Sequence, residues 1–235
     1  MTDDTRDAAM TAADENEIYA GTGQSGYETI GERLAKYQIY LTNAADADVA
    51  PRLEKFGYNE QKLSTGKGLL NEAREADAAN AREYGQQYAA TEKLEKEFAE
   101  ATKPYMISLA VGRIAFSKDR DARRALVLKG ARSRSVPDWT RDADLFYRNA
   151  LGTPAFLARL AEFGRTREML EAEYKEVKDV SAALAAQTKE MGEAMQSTKT
   201  RDEKMAKLDE WMLEFTGIAR IALGDSPDLQ QKLGL

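Results

Sequence analysis

This chain of 235 residues contains no cysteine and no histidine. Without cysteine there are no disulfides, no thiolate nucleophiles and no sulfur metal sites. Without histidine, Ser-His-Asp triads, imidazole-ligated zinc and helical Glu-x-x-His di-metal sites are also excluded. No remaining side chain ordinarily titrates near neutrality. Catalysis, if any, would rest on carboxylates, Lys, Tyr, Ser or Thr. No catalytic, cofactor or metal residue is therefore assigned, and an enzyme ranks third among the functional readings. A reducing compartment is compatible, and a cytoplasmic location is expected.

Proline is scarce, at five residues, so helices meet few interruptions. No stretch approaches the ~18 apolar residues of a membrane span. The greasiest piece, Met106 to Phe116, is broken by Ser108 and Arg113 and reads as a buried helix. No basic segment followed by an apolar run opens the chain, so no signal peptide is read there.

The chain does have 43% apolar and 31% charged residues, enough for a core and a solvated surface. Ala, Glu, Lys, Leu and Arg dominate, which points to an all-α fold. Shifted by 107 positions, residues 40–128 overlay residues 147–235 without a gap, with roughly a fifth of the positions identical. Arg52-Leu53-x-x-Phe56-Gly57 meets Arg159-Leu160-x-x-Phe163-Gly164. Arg113-Ile114-Ala115 meets Arg220-Ile221-Ala222, Gly85 meets Gly192, and Thr91 meets Thr198. A fixed period implies one structural unit used twice. The expected organisation is an acidic flexible tail at 1–26 and a helical repeat with its leading helix at 27–128. A basic linker at 129–138 and a second repeat at 139–235 follow.

Within each repeat the spacing predicts helices. Ile30, Leu34, Tyr37 and Leu41 place one over 27–45. A short helix at 48–55 ends at Phe56-Gly57, with the glycine in the left-handed position and the Phe plugging the core. Pro154 opens the matching helix before Phe163-Gly164. A proline-poor tract of about 40 residues follows each Phe-Gly. In the second copy Leu170, Tyr174, Val177, Ser181, Leu184, Thr188, Met191, Met195 and Thr198 form a heptad seam. Met191, Met195, Met205 and Met212 read as core packing. Thr200-Arg-Asp-Glu203 resembles a capping box, leaving open whether each tract is one helix or a hairpin. Asp138 is a candidate cap for a helix beginning near Trp139. The architecture expected is an elongated all-α bundle with coiled-coil-like long helices, built from two tandem copies.

The Phe-Gly-Tyr turn at 56–58, the Arg-Glu-Tyr-Gly-Gln run at 82–86 and the Arg-Ile-Ala run at 113–115 resemble those of uncharacterised bacterial helical proteins with two similar halves. The resemblance covers residues 27–235 and implies no activity and no functional residue.

Charge is uneven. Residues 1–26 hold Asp3, Asp4, Asp7, Asp14, Glu15 and Glu17 against Arg6, a net −5. Residues 118–134 hold Lys118, Arg120, Arg123, Arg124, Lys129, Arg132 and Arg134 against Asp119 and Asp121, a net +5. Such blocks can meet within or between chains. Arg113 and Arg220 occupy equivalent places in apolar helices and read as buried ion pairs, or more sharply as an anion site. Gly21-x-Gly23-x-x-Gly26 follows no strand and reads as linker. Ser64-Thr-Gly66-Lys67-Gly68 lacks a full phosphate-loop pattern and reads as flexibility at a helix start. Acids at 46, 48, 119 and 121 lack the remaining ligands of a calcium loop.

The functional expectation is a non-enzymatic scaffold that self-associates through the acidic tail and the basic junction, as a ring or filament. The alternative is a module binding an acidic partner or polyanion at the junction. A homo-oligomer is the expected partner state, an acidic protein partner comes second, and nucleic acid or a membrane surface is disfavoured. No cofactor is assigned.

Overall fold

The computed structural model describes residues 28–235, which form eight helices and no strand. These are α1 (Ile30–Asn43), α2 (Ala50–Glu54), α3 (Glu60–Ala115), α4 (Arg120–Ala125), α5 (Val136–Gly152), α6 (Pro154–Ala161), α7 (Arg167–Ala222) and α8 (Pro227–Leu233). The long helices begin at 60 and 167 and end at 115 and 222, the same 107-residue step by which the sequence overlays itself.

Local chemistry accounts for most ends. Thr29 caps α1 in a capping box: the Glu32 amide donates to its hydroxyl at 3.2 Å, and its own amide donates to the Glu32 carboxylate at 2.8 Å. Gly57 and Gly164 are left-handed, at φ 86° and 76°. Each lets the next amide, of Tyr58 or Arg165, reach back five residues to Leu53 or Leu160, at 3.1 Å in both turns. The phenylalanines before them do not plug the core, being 47% and 42% exposed. Tyr58 and Arg165 enter the interior instead. Helix α5 starts at Val136, with Ser135 before it and Pro137 in its first turn, three residues ahead of the expected Trp139.

Each long tract is one helix of 56 residues, not a hairpin. The capping-box reading of Thr200 fails because its hydroxyl donates back to the Gln196 carbonyl at 3.1 Å, within an unbroken helix. Pro104 lies inside α3, held on both sides by the buried turns of Ala101, Tyr105 and Leu109.

The chain divides into two compact units. The described part of the first comprises 28–70 and 211–235, that is α1, α2, the start of α3, the end of α7 and α8. Its core stacks Trp211 on Phe215 with Tyr58 edge-on to both. Gly66 makes room for this cluster: a Cβ there would lie 2.4 Å from the Trp211 ring. The glycine is a packing requirement, which corrects the reading of 64–68 as mere flexibility. The Asn43 amide donates to the Lys232 carbonyl at 2.7 Å and ties α1 to α8.

The second unit comprises 71–210. Trp139, Phe146 and Tyr147 of α5 pack on Tyr105 of α3, with Leu109, Leu128, Leu160 and Leu170 around them. Here α3 and α7 run antiparallel, since Glu72 meets Lys204, Asn80 meets Thr198, Thr91 meets Gln187 and Ser108 meets Glu173. The buried line on α7 follows the 3.6-residue turn rather than the 3.5-residue seam, through Val177, Val180, Ala183 and Ala194. The expected seam therefore drifts off the contact. Met191 and Met195 end up exposed, while Met205 and Met212 are core.

Between Asn80 and Leu94 on α3, and between Ala183 and Ala194 on α7, no residue is fully buried. Gly85 and Gly192 sit in these stretches with nothing near a notional Cβ. Gly85→Ala and Gly192→Ala should each stabilise the protein by about 0.5–1 kcal/mol through helix propensity. Gly66→Ala should destabilise it by about 1–3 kcal/mol through overpacking and shift the Trp211 fluorescence. Chemical denaturation monitored by fluorescence checks all three.

Candidate functional site

The basic junction is built on α4 and the loop that follows it. Asp119 caps α4, its carboxylate accepting from the Ala122 amide at 2.9 Å. The helix closes with the Leu128 amide donating to the Arg123 carbonyl at 3.0 Å, which places Val127 in the left-handed region at φ 49°. A β-branched residue is strained there. The strain is held by Leu128, buried in the core, and by three side chains that grip the loop carbonyls. Arg113 donates to Leu128 at 2.8 Å and to Gly130. Arg132 donates to Val127 and Lys129, at 2.7 Å each, and pairs with Asp142 at 3.0 Å. The Asn149 amide donates to Ala125 at 2.7 Å.

The sequence-predicted cations therefore separate into two kinds. Arg132 is spent on the loop, with a side chain only 6% exposed, and is a structural residue rather than an interaction residue. Arg120, Arg123, Arg124 and Lys129 instead line one cavity of about 170 Å³, with Val127 as its apolar wall. Arg120, Arg124 and Lys129 make no side-chain hydrogen bond or ion pair among the described residues. Arg123 donates once, to the Ser117 carbonyl at 3.2 Å, and its Nε is buried without a partner among the described residues. Lys118 lies outside this group, beside a wider depression of about 750 Å³ that Arg120 also borders. Arg134 is exposed and lines neither. Four guanidinium and ammonium groups around one small space can hold an anionic group through charge-assisted hydrogen bonds.

The buried-ion-pair reading of Arg113 and Arg220 does not hold. Arg113 is bound to backbone carbonyls and Arg220 is exposed. Asp3, Asp4, Asp7, Asp14, Glu15, Glu17 and the glycine run at 21–26 lie outside the described residues.

The buried ion pair lies elsewhere, in Arg165 and Glu173 of the second unit, each 8% exposed. The Ser108 hydroxyl and the Tyr147 phenol donate to the Glu173 carboxylate at 2.6 and 2.9 Å, and Arg165 Nε donates to Ser108 at 3.0 Å. Two signals for it are visible in the sequence. Glu173 falls on the same helix face as Leu170 and Val177, at i+3 and i+7 spacing, and Arg165 takes the place after Phe-Gly that Tyr58 takes after Gly57. Burial first, and the Glu173 charge second, push the Tyr147 phenol far above its ordinary range. Burial likewise raises Tyr58, Tyr105 and Tyr174.

Two further clusters gather polar groups. The carboxylates of Glu83, Glu190 and Glu193 come within 4.8 Å of one another, with Lys189 3.1 Å from Glu193. In the first unit a cavity of about 530 Å³ is bordered by Glu54, Glu60, Ser64 and Lys67, a lining of mixed charge. No helix among the described residues is long and apolar enough to cross a membrane.

The chain matches no protein-family model, no curated protein and no solved structure.

Replacing Arg165 with Met leaves Glu173 buried without its cation and should cost about 3–5 kcal/mol. The double change Arg165→Met, Glu173→Leu should recover most of that loss. A double-mutant cycle in urea measures the coupling. The tyrosines set the alkaline limit. Their folded values lie above the ordinary phenol value of about 10, so their contribution is complete below that pH. Above it the unfolded chain releases protons that the folded chain retains, and stability falls. With no histidine to titrate, Tm should stay level from about pH 6 to 9 and drop beyond about pH 10, as circular dichroism melts will show.

Proposed function

We propose that this is a non-enzymatic scaffold protein that joins copies of itself through an acidic segment seated in the basic junction. The four-cation cavity at the end of α4 carries this reading. Arg120, Arg123, Arg124 and Lys129 surround about 170 Å³ with no carboxylate in the lining. Gathering like charges is costly, and an anionic guest relieves that cost. The chain supplies a guest of the right sign: Asp3, Asp4, Asp7, Asp14, Glu15 and Glu17 within a segment of net charge −5. Contact between that segment of one copy and the junction of the next is heterologous, so it builds rings or open filaments. The cavity lining is three guanidinium groups, one ammonium and Val127, a set suited to holding an anion.

A fluorescein-labelled peptide of residues 1–26, titrated with the full chain, tests the reading by anisotropy. Binding should weaken at least about tenfold in an Arg120→Ser, Arg124→Ser, Lys129→Ser variant and should vanish in about 0.5 M salt. Arg123 and Arg132 are kept because both also hold the loop. Equal affinity for the variant and the parent removes the reading. Tighter binding of a DNA oligonucleotide than of the peptide would transfer the same cavity to a polyanion partner.

A further inference from the structure

The second half of each long helix carries a surface stripe that the described residues leave uncovered. On α3, Ala99, Met106, Ala110 and Ile114 are exposed, and on α7 so are Ala206, Leu213, Gly217 and Ile221. Ile114 and Ile221 are each 65% exposed and Leu213 is 76% exposed. These residues stand at equivalent positions, 107 apart. Their spacing puts each set on one helix face. An apolar stripe kept bare at both positions is not ordinary surface.

The charges beside the two stripes are inverted. Along α3 the same face carries Glu92, Lys96, Glu100 and Lys103, and along α7 the equivalent positions carry Lys199, Glu203, Lys207 and Glu210. All eight are exposed. None makes a side-chain hydrogen bond or ion pair among the described residues, although i,i+4 pairing along each helix is available to them. Pairing along one helix would explain an alternating series. It would not explain why every sign reverses between the two. Ile107 departs from the pattern, since its counterpart Glu214 is taken by Lys62 at 2.7 Å and Tyr58 at 3.0 Å.

We infer that the α3 stripe of one copy docks on the α7 stripe of a second copy, parallel and in register. Glu92 then faces Lys199, Lys96 faces Glu203, Glu100 faces Lys207 and Lys103 faces Glu210. Below them Met106 meets Leu213 and Ile114 meets Ile221, with Ala110 against Gly217 at the closest approach. Gly217 fits this role. A helical glycine costs about 1 kcal/mol relative to alanine, and here nothing in its own chain lies near a notional Cβ to account for it. The charge pattern also selects the partner. An α3 stripe against another α3 stripe in parallel register sets Lys on Lys and Glu on Glu, which is repulsive, so the contact is α3 to α7. Each copy has one stripe of each kind, and the contact propagates from copy to copy. It is independent of the junction and of residues 1–26.

Charge exchange in the full chain tests it, with mass read by light scattering and sedimentation across a concentration series. Lys103→Glu and Glu210→Lys should each weaken association about tenfold or more, because each sets like charges face to face. The double variant should associate like the parent, and the two single variants should associate when mixed. Circular dichroism melts should be unchanged throughout, since both residues are exposed and unpaired within the described chain. A parent that stays monomeric at the highest concentration reached overturns the inference, as do single variants that assemble normally. A double variant that fails to recover also overturns it. The junction variant separates the two contacts. Assembly that survives Arg120→Ser, Arg124→Ser, Lys129→Ser but not Lys103→Glu supports the helix-stripe contact. The reverse result rejects that contact and leaves the junction reading standing.

Discussion

Two unbroken helices of 56 residues cannot bury a full core against each other alone, and the rest of the structure answers that constraint. A helix pair shares one stripe from each member, so every other face needs a separate cover or stays in water. Where short helices supply the cover, large side chains disappear from solvent: Leu41, Tyr58 and Phe215 in the first unit, Trp139, Phe146 and Tyr147 in the second. Where no short helix is present, the contact becomes narrow and polar. Asn80 donates to Thr198 at 3.0 Å and Gln187 donates to Thr91 at 3.3 Å, an amide-to-hydroxyl clasp formed twice with the partners exchanged between helices. The threonines coincide when the sequence is shifted on itself, and their shared role in this clasp gives that match a physical meaning.

Positions that coincide in the 107-residue overlay carry opposite chemistry in the two units. The first places Tyr58, Gly66, Trp211 and Phe215 together, an aromatic cluster opened by a glycine. The positions 107 residues away are Arg165, Glu173, Pro104 and Ser108, three of which form the buried ion network. The exchange does not conserve volume: a glutamate stands for the glycine, but proline and serine stand for tryptophan and phenylalanine, so the second set is smaller as well as more polar. A buried ion pair is weak evidence for added stability, since its desolvation offsets much of its attraction. It does fix partners: Glu173 accepts from Arg165, Ser108 and Tyr147 at once, and a slip of α7 against α3 would break the contact with Ser108.

The all-α class and the Phe-Gly helix ends were legible because they rest on local rules: composition, capping and left-handed glycine. Helix continuity was not. Thr200 carries the letters of a cap, yet tertiary packing on either side keeps the helix running, and the hydroxyl turns back to Gln196. The seam was misplaced for a geometric reason. A 3.5-residue count drifts from a straight 3.6-residue helix, and over the length from Leu170 to Met195 the drift is enough to move a methionine from contact to solvent. Arg165 was overlooked because a charged residue directly after a helix-ending glycine ordinarily faces water.

The junction shows where counting charges stops being informative. Seven cations between 118 and 134 give a net +5, and in sequence they are equivalent. Distance to backbone carbonyls separates them. The left-handed turn at Val127 points the carbonyls of 127 and 129 toward Arg132, and that arginine is lost to solvent. The same turn leaves Arg120, Arg123, Arg124 and Lys129 around the cavity that Val127 floors. The position 107 residues on from Val127 is Gly234, which takes its left-handed geometry, at φ 103°, without the strain of a branched side chain. The strained valine and the arginine donors spent on carbonyls therefore belong to one turn, and the cations around the cavity have no carboxylate partner among the described residues. A glycine at 127 would end the helix without that strain. The valine instead lends an apolar wall to the charged cavity.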